Sequence, residues 1–146
     1  APAIVIRELR ALRRLMLRHP PSNNQRAAAL FLGLGHYKAH MRRLGSALIK
    51  RGEILREALH KYLPDFQVKL GAGFSSCWLE APDHIDATRL AACAEKKGVL
   101  VEAGDIFFIQ DSPPKNFLRL GFASIPPERI EPGIAALAET YRELDH

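Results

Sequence analysis

The sequence predicts a mixed α/β chain of the α+β kind, in which helices come first and a block of strands and helices follows. Apolar residues recur at helical spacing up to Pro64, whereas short runs after it alternate between apolar and polar residues. The 146 residues are 47% hydrophobic and 25% charged, as in an ordinary domain with a core of its own.

Residues 3–18 are predicted to form an amphipathic helix. Leu9, Leu12 and Leu15 recur on one side of it, and arginines recur on another. The helix should end before Pro20, because proline cannot continue the hydrogen-bond ladder and disfavours helical geometry in its predecessor.

Two further helices are predicted before the strands. Ser22 or Asn23 is expected to cap a short helix that ends at Gly33. Residues 36–63 read as one long helix, since leucines form an apolar stripe along them until Pro64 stops the helix.

The first two predicted strands surround a glycine turn. Residues 66–70 and 74–80 alternate between apolar and polar side chains, and residues 71–73 read Gly-Ala-Gly. The glycines resemble part of a phosphate loop, but the third glycine is missing and a strand follows, so a hairpin turn is favoured.

The remaining elements follow from caps and short apolar runs. Asp86 is expected to cap a helix that ends at Gly98, and residues 99–101 read as a short buried strand. Residues 117–122 form another predicted strand, and a last helix follows Pro126-Pro127.

Charge is unevenly distributed along the chain. Residues 1–52 hold eleven basic residues and one acid, whereas residues 53–146 hold ten basic and fifteen acidic residues. Such asymmetry is consistent with a nucleic acid, an acidic ligand or an acidic partner. Solvated helix faces explain it equally simply, and we favour that interpretation.

Several classes of protein are disfavoured. No run of 18 apolar residues and no secretory signal is present, and two cysteines are too few for a disulfide scaffold, so we expect a cytoplasmic protein. The chain begins with Ala-Pro, which leaves open a processed protein or a piece of a longer one.

Few residues suggest catalysis. His36 and His40 have a spacing that can chelate a metal, but no third ligand is nearby, so exposed helical histidines are favoured over a metal site. Cys77 and Cys93 are more consistent with buried structural thiols than with a nucleophile. No catalytic residue is predicted.

Arg119 is the most informative single residue. It alternates with Leu118 and Leu120 on a predicted strand, so it faces away from the apolar side. A guanidinium there needs an ion-pair partner or a polar cavity, and its rigid fork suits a carboxylate. A structural ion pair and a ligand site are equally consistent with this pattern.

The order and spacing of several segments resemble the C-terminal part of the pyridoxal-phosphate-dependent aminotransferases of fold type I. The match spans nearly the whole chain. The segments that carry it are His-Pro-Pro-Ser-Asn at 19–23, the basic helix at 40–55, Gly-Val-Leu-Val-Glu-Ala-Gly at 98–104, Asn-Phe-Leu-Arg-Leu-Gly-Phe at 116–122, and the closing helix at 125–137.

The resemblance implies a fold and a set of binding residues. It implies a helical segment and interdomain helix at 1–63, then a small C-terminal domain at 64–146 with a short, mainly antiparallel sheet covered by helices. It implies that Arg119 binds the α-carboxylate of a substrate or adduct. It further implies a homodimer in which Arg18 and Asn23 approach the cofactor phosphate of the neighbouring subunit.

The sequence departs from the family at the cofactor lysine. The Ser-x-x-Lys segment that carries this lysine is absent, and none of the seven lysines stands in its context, so this chain alone should not hold the cofactor or transaminate. Ala103 also replaces a turn proline. We therefore expect pyridoxal phosphate only in an intact parent protein.

The basic helix is most similar to that of the MocR-type regulators of the GntR family. There the chain would belong to an effector domain that senses pyridoxal phosphate or an amino acid, and DNA would bind through a missing upstream domain. The alternatives are the small domain of an aminotransferase acting on an amino acid, and a domain used only for dimerisation.

Overall fold

The computed structural model describes residues 1–17, 19–71 and 75–144. Within these ranges the chain forms five α-helices, four β-strands and a short 3-10 helix. In chain order they are α1 (Ala3–Met16), α2 (Ser22–Gly33), α3 (His36–Tyr62), β1 (Gln67–Lys69), β2 (Ser76–Glu80), α4 (Ala87–Lys96), β3 (Glu102–Ala103), the 3-10 helix (Asp105–Phe107), β4 (Phe117–Gly121) and α5 (Pro127–Leu144).

The chain divides into two compact units, Ala1–Arg43 and Leu44–His146. The boundary lies inside α3 because the second half of this helix packs with the sheet, where Leu55 and Leu59 are almost fully buried. The predicted domains, 1–63 and 64–146, divide the chain at another point, and that assignment stays a prediction.

The first unit holds α1, α2 and the start of α3. Neither α1 nor α2 has a buried residue. The expected cap of α2 at Ser22 or Asn23 is wrong: Pro21, in an extended conformation, precedes the helix, and no side chain caps it. Because Ser22 is already helical, the helix begins directly after the two prolines.

The second unit is built on one antiparallel sheet in the order β1-β2-β4-β3. This confirms the mixed fold and the short, mainly antiparallel sheet. β1 and β2 are antiparallel neighbours, as a hairpin requires, but most of the Gly-Ala-Gly turn predicted between them lies outside the described residues.

Helices cover one face of this sheet. Alternate residues of β2 and β4 point into the core, as the period of a strand requires. The second half of α3, together with α4 and α5, supplies the other side of that core. On the strands, the buried residues of this core are Cys77, Leu79, Leu118 and Leu120.

The predicted strand at 99–101 is wrong. Gly98 ends α4 with a φ of 78°, and the Val99 N–H donates to Ala94 O at 3.0 Å, so the chain is still closing the helix there. Leu100 is 80% exposed. Pairing with β4 begins only at Glu102.

The remaining helices follow the predicted pattern. Asp86 caps α4, its Oδ1 accepting from the N–H groups of Thr88 at 2.9 Å and Arg89 at 3.1 Å. Ile130, Ile134 and Leu137 line the buried side of α5. None of the helices among the described residues is both long and apolar enough to span a bilayer.

Candidate functional site: an arginine on the open face of the sheet

The face of the sheet opposite the core carries Arg119. The strand register places Trp78 directly opposite Arg119 on β2 and Glu102 directly opposite it on β3. Directly paired residues of antiparallel strands lie on the same face, so these three side chains form one row across the sheet. We call this row, together with its aromatic neighbours Phe107, Phe108 and Phe117, the arginine face.

Arg119 is paired on this face. Its Nε donates a hydrogen bond to Oε2 of Glu102, and both side chains stay open to solvent, with relative exposures of 42% and 50%. This hydrogen bond raises the pKa of Arg119 and lowers the pKa of Glu102, so both groups are charged at neutral pH. Of the two alternatives that the sequence left open for Arg119, an ion pair and a ligand site, the structure shows the ion pair.

The guanidinium also lies over an aromatic ring. Its central carbon is 5.3 Å from the centre of the Phe107 ring. Such cation–π contact holds the plane of the guanidinium and leaves its edges for hydrogen bonds. Among the described residues, Glu102 is the one hydrogen-bond partner of the Arg119 side chain, bound at Nε. The two terminal Nη groups are therefore open to a ligand.

Aromatic side chains surround this position. The Trp78 ring stacks on Phe117 with 5.6 Å between their centres, and it meets Phe107 edge-on at 5.7 Å. Phe108 packs against Phe117 at 5.3 Å. The arginine face therefore places the Arg119 cation beside an apolar wall, and Lys69 on β1 continues the same row, directly opposite Trp78. Such a surface suits a ligand that has a carboxylate and an apolar part.

Gly104 brings the loop after β3 against this wall. A Cβ atom at Gly104 would lie 2.6 Å from Phe117 Cβ and 2.7 Å from Trp78 Cη2. The Gly104 N–H donates to Phe117 O at 2.7 Å, which anchors the loop to β4. The lack of a side chain here allows the close approach that places Phe107 under Arg119.

The other two predicted site residues, Arg18 and Asn23, are not among the residues that form the arginine face. Arg18 lies outside the described residues. Asn23 is exposed in the first turn of α2, in the first unit. The proposed roles of Arg18, Asn23 and Arg119 stay predictions.

The histidines and cysteines offer little chemistry. His36 and His40 are exposed, and the centres of their rings lie 6.1 and 6.4 Å from the centre of the Phe31 ring. No cluster of metal-ligating residues occurs in the described part of the chain. Burial raises the pKa of the Cys77 thiol to about 11, so this cysteine is protonated and unreactive at neutral pH.

A separate groove of about 420 Å³ lies in the second unit, between the segment after α4 and the first turns of α5. Its lining is mostly apolar, with Lys97 and Arg129 as its charged members. Lys97 is already paired with Glu139 and Glu143 on α5. The groove therefore offers apolar contact and no acid–base or nucleophilic group.

The sequence singles out Arg119 but not its neighbours on the sheet. Trp78 falls within the predicted strand at 74–80 and Glu102 within the segment at 98–104, and the sequence predicts no role for either. The alternation on β2 places Trp78 opposite to the core, which is a usable signal. The contact with Glu102 depends on the pairing of β3 with β4, which sequence spacing does not fix.

No protein-family model matches the chain, but individual proteins are similar to it. It is 41% identical over 142 residues to the HTH-type transcriptional regulator TauR of Rhodobacter capsulatus, covering 97% of this chain and 29% of that protein. It is 31% identical over 110 residues to aromatic-amino-acid aminotransferase 1 of Thermococcus litoralis, covering 75% of this chain and 26% of that enzyme.

Solved structures show the same fold. The multiple substrate aminotransferase of Thermococcus profundus superposes with a TM-score of 0.86 at 26% identity, covering 98% of this chain and 36% of the enzyme. The α-aminoadipate aminotransferase LysN of Thermus thermophilus, solved with N-(5'-phosphopyridoxyl)-L-leucine, gives 0.85 at 22% identity, covering 99% of this chain and 37% of the enzyme. The chain thus spans about a quarter to three tenths of these two curated relatives.

Proposed function

We propose that the chain is part of a transcription regulator of the MocR type. It is related in sequence and in fold to the C-terminal part of aminotransferase-like domains, as found in HTH-type regulators and in aminotransferases. In this proposal it is the C-terminal part of an effector domain that senses pyridoxal phosphate or an amino acid. The regulator is a cytoplasmic homodimer, and DNA binds through another part of the polypeptide.

The arginine face is the observation that carries the ligand-binding part of this proposal. The Arg119 guanidinium lies over the Phe107 ring, beside an aromatic wall, and its terminal nitrogens are open because Glu102 contacts only Nε. A carboxylate can accept two parallel hydrogen bonds from the guanidinium, which fixes its orientation as well as its position. We assign Arg119 the α-carboxylate of an amino acid or of its pyridoxal adduct.

The cofactor fits this chain only in part. Pyridoxal phosphate would supply an aldehyde that can condense with the amine of an amino acid. The lysine that holds this aldehyde in the family stands in a segment that the sequence does not carry. The residues of this chain that would serve the adduct are Arg119 for its carboxylate, with Arg18 and Asn23 proposed for the phosphate held by a neighbouring subunit. The lysine would come from another part of the polypeptide.

The regulator is favoured over the enzyme by the comparison with TauR. Identity to that regulator is 41% across 97% of the chain, against 31% across 75% for the aromatic-amino-acid aminotransferase. In the alternative, the chain is the small domain of an aminotransferase, and Arg119 holds the substrate so that a base elsewhere can move the proton at its α-carbon.

Peptide mapping and intact mass of the natural polypeptide, upstream of Ala1, separate the two. The proposal expects a winged-helix segment followed by a domain that bears the cofactor lysine. A lysine-bearing domain that begins directly at an initiator methionine would rule out the regulator and support the enzyme.

A further inference from the structure

Glu102 is the second charged residue of the arginine face, and neither the fold nor the proposed function requires it there. It stands directly across β3 and β4 from Arg119, in the same row as Trp78. Its carboxylate accepts the hydrogen bond of Arg119 Nε. The chain therefore already supplies one carboxylate to the guanidinium that is proposed to bind a ligand's carboxylate.

A second carboxylate on the same guanidinium meets electrostatic repulsion. Arg119 carries one positive charge, so two carboxylates bound to it leave the site with a net negative charge. The side chains next to Arg119 on this face, Trp78, Phe107 and Phe117, carry no charge. The other cation of the row, Lys69, lies one strand further away, beyond Trp78. The ligand's carboxylate can use the two Nη groups while Glu102 stays at Nε. Because the two carboxylates repel each other, Glu102 weakens the binding of the ligand's carboxylate unless it turns away.

The contact is weak enough to be displaced. Both side chains are about half exposed, and such surface ion pairs shift an equilibrium by no more than about fivefold. The short strand that carries Glu102 lies at the edge of the sheet, so nothing in the ladder beyond it fixes its position. Glu102 can turn away to solvent while β3 stays paired.

From this geometry we infer that Glu102 is an internal competitor for Arg119, which sets how much ligand carboxylate is needed to occupy the site. The inference rests on the proposed function, because it takes Arg119 as the carboxylate-binding residue. In this inference the carboxylate of Glu102 and the carboxylate of the ligand compete for the guanidinium of Arg119. No bond is made or broken, and no group is transferred.

Two probes are compared in the test. N-(5'-phosphopyridoxyl)-L-leucine carries an α-carboxylate and the leucine side chain, whereas pyridoxamine phosphate has the same ring and phosphate without either. Calorimetry on the intact natural polypeptide gives the Kd of each probe, and their ratio measures the contribution of the amino-acid part. A change in this ratio on Glu102→Gln reports on the carboxylate, because the leucine side chain is uncharged. The variants are Glu102→Gln and, as a control with the same change in charge, Glu95→Gln on the exposed side of α4.

The inference expects Glu102→Gln to tighten the adduct by about twofold to fivefold while the Kd of pyridoxamine phosphate stays unchanged. Glu95→Gln should alter neither value. If Glu102→Gln leaves the ratio unchanged or weakens the adduct, Glu102 is not a competitor. A weakened adduct would instead make it a residue that positions Arg119.

Arg119→Gln separates this inference from the proposed function. If that variant loses the preference for the adduct but Glu102→Gln gains nothing, only the competition is contradicted. If Arg119→Gln keeps the preference, or if the intact polypeptide binds neither probe, both proposals fail together.

Discussion

Gly104 is the residue at which a single methyl group should disturb the arginine face. Its Cβ would lie within 3 Å of both Phe117 and Trp78, and one of the near atoms is the backbone carbon of Phe117, which cannot turn aside. Overpacking of this kind costs about 1–3 kcal/mol of folding free energy. The backbone of Gly104 has an ordinary negative φ of −85°, so the effect comes from space alone.

We therefore expect Gly104→Ala to lower the free energy of unfolding by about 1–3 kcal/mol, measured by urea denaturation. Trp78 is the only tryptophan, so its fluorescence should also report the displaced contact. Gly121→Ala is the matched control, since a Cβ on this β4 residue meets nothing within 4 Å. Equal stability of the two variants would contradict the packing described here.

At the scale of residues, the sequence correctly predicts that Arg119 lies on the side of its strand away from the core, because strand alternation fixes the face on which a side chain lies. The sequence does not predict Glu102 as the partner of Arg119, because an ion pair across two strands depends on their register. β3 is only two residues long, and no turn of fixed length joins it to β4. The sequence could therefore indicate the guanidinium but not its partner.

At the scale of elements, α4 has the clearest signal in the sequence. The Asp86 side chain accepts two backbone hydrogen bonds at the start of the helix, and Gly98 closes its end with a positive φ. α4 also contributes Leu90 and Ala94 to the core, so its stability is coupled to that of the whole second unit.

Asp86→Ala should lower the free energy of unfolding by about 1 kcal/mol, because two N–H groups of the first turn lose their acceptor. Asp86→Asn keeps a side-chain acceptor and should stay within a few tenths of a kcal/mol of the original. Thermal or urea denaturation measures both. A loss of equal size in the two variants would show that the cap is not the cause.

For other elements, local sequence patterns predict some helices and strands correctly and fail for one short strand. Period and proline positions predicted α1, α3, α5 and β4 to within a few residues. The short apolar run at 99–101 predicts a strand, yet it has no strand partner, and Leu100 is mostly exposed. Whether a short apolar run pairs depends on what lies beside it, which composition does not contain.

At the scale of the whole molecule, the two units differ in how they are stabilised. The core lies within Leu44–His146, whereas α1 and α2 bury no side chain among the described residues. Large apolar residues such as Leu15 and Phe31 remain exposed there. Helical periodicity predicted these helices correctly, but it carries no information about what their apolar sides contact.

The central claim is that Arg119 binds a ligand's carboxylate in the intact protein. The most direct measurement is the Kd of N-(5'-phosphopyridoxyl)-L-leucine relative to pyridoxamine phosphate, for the natural polypeptide and for Arg119→Lys. Lysine keeps the positive charge but cannot donate two parallel hydrogen bonds to a carboxylate. We therefore expect the preference for the adduct over pyridoxamine phosphate to fall by roughly tenfold or more in Arg119→Lys. An unchanged preference would contradict it.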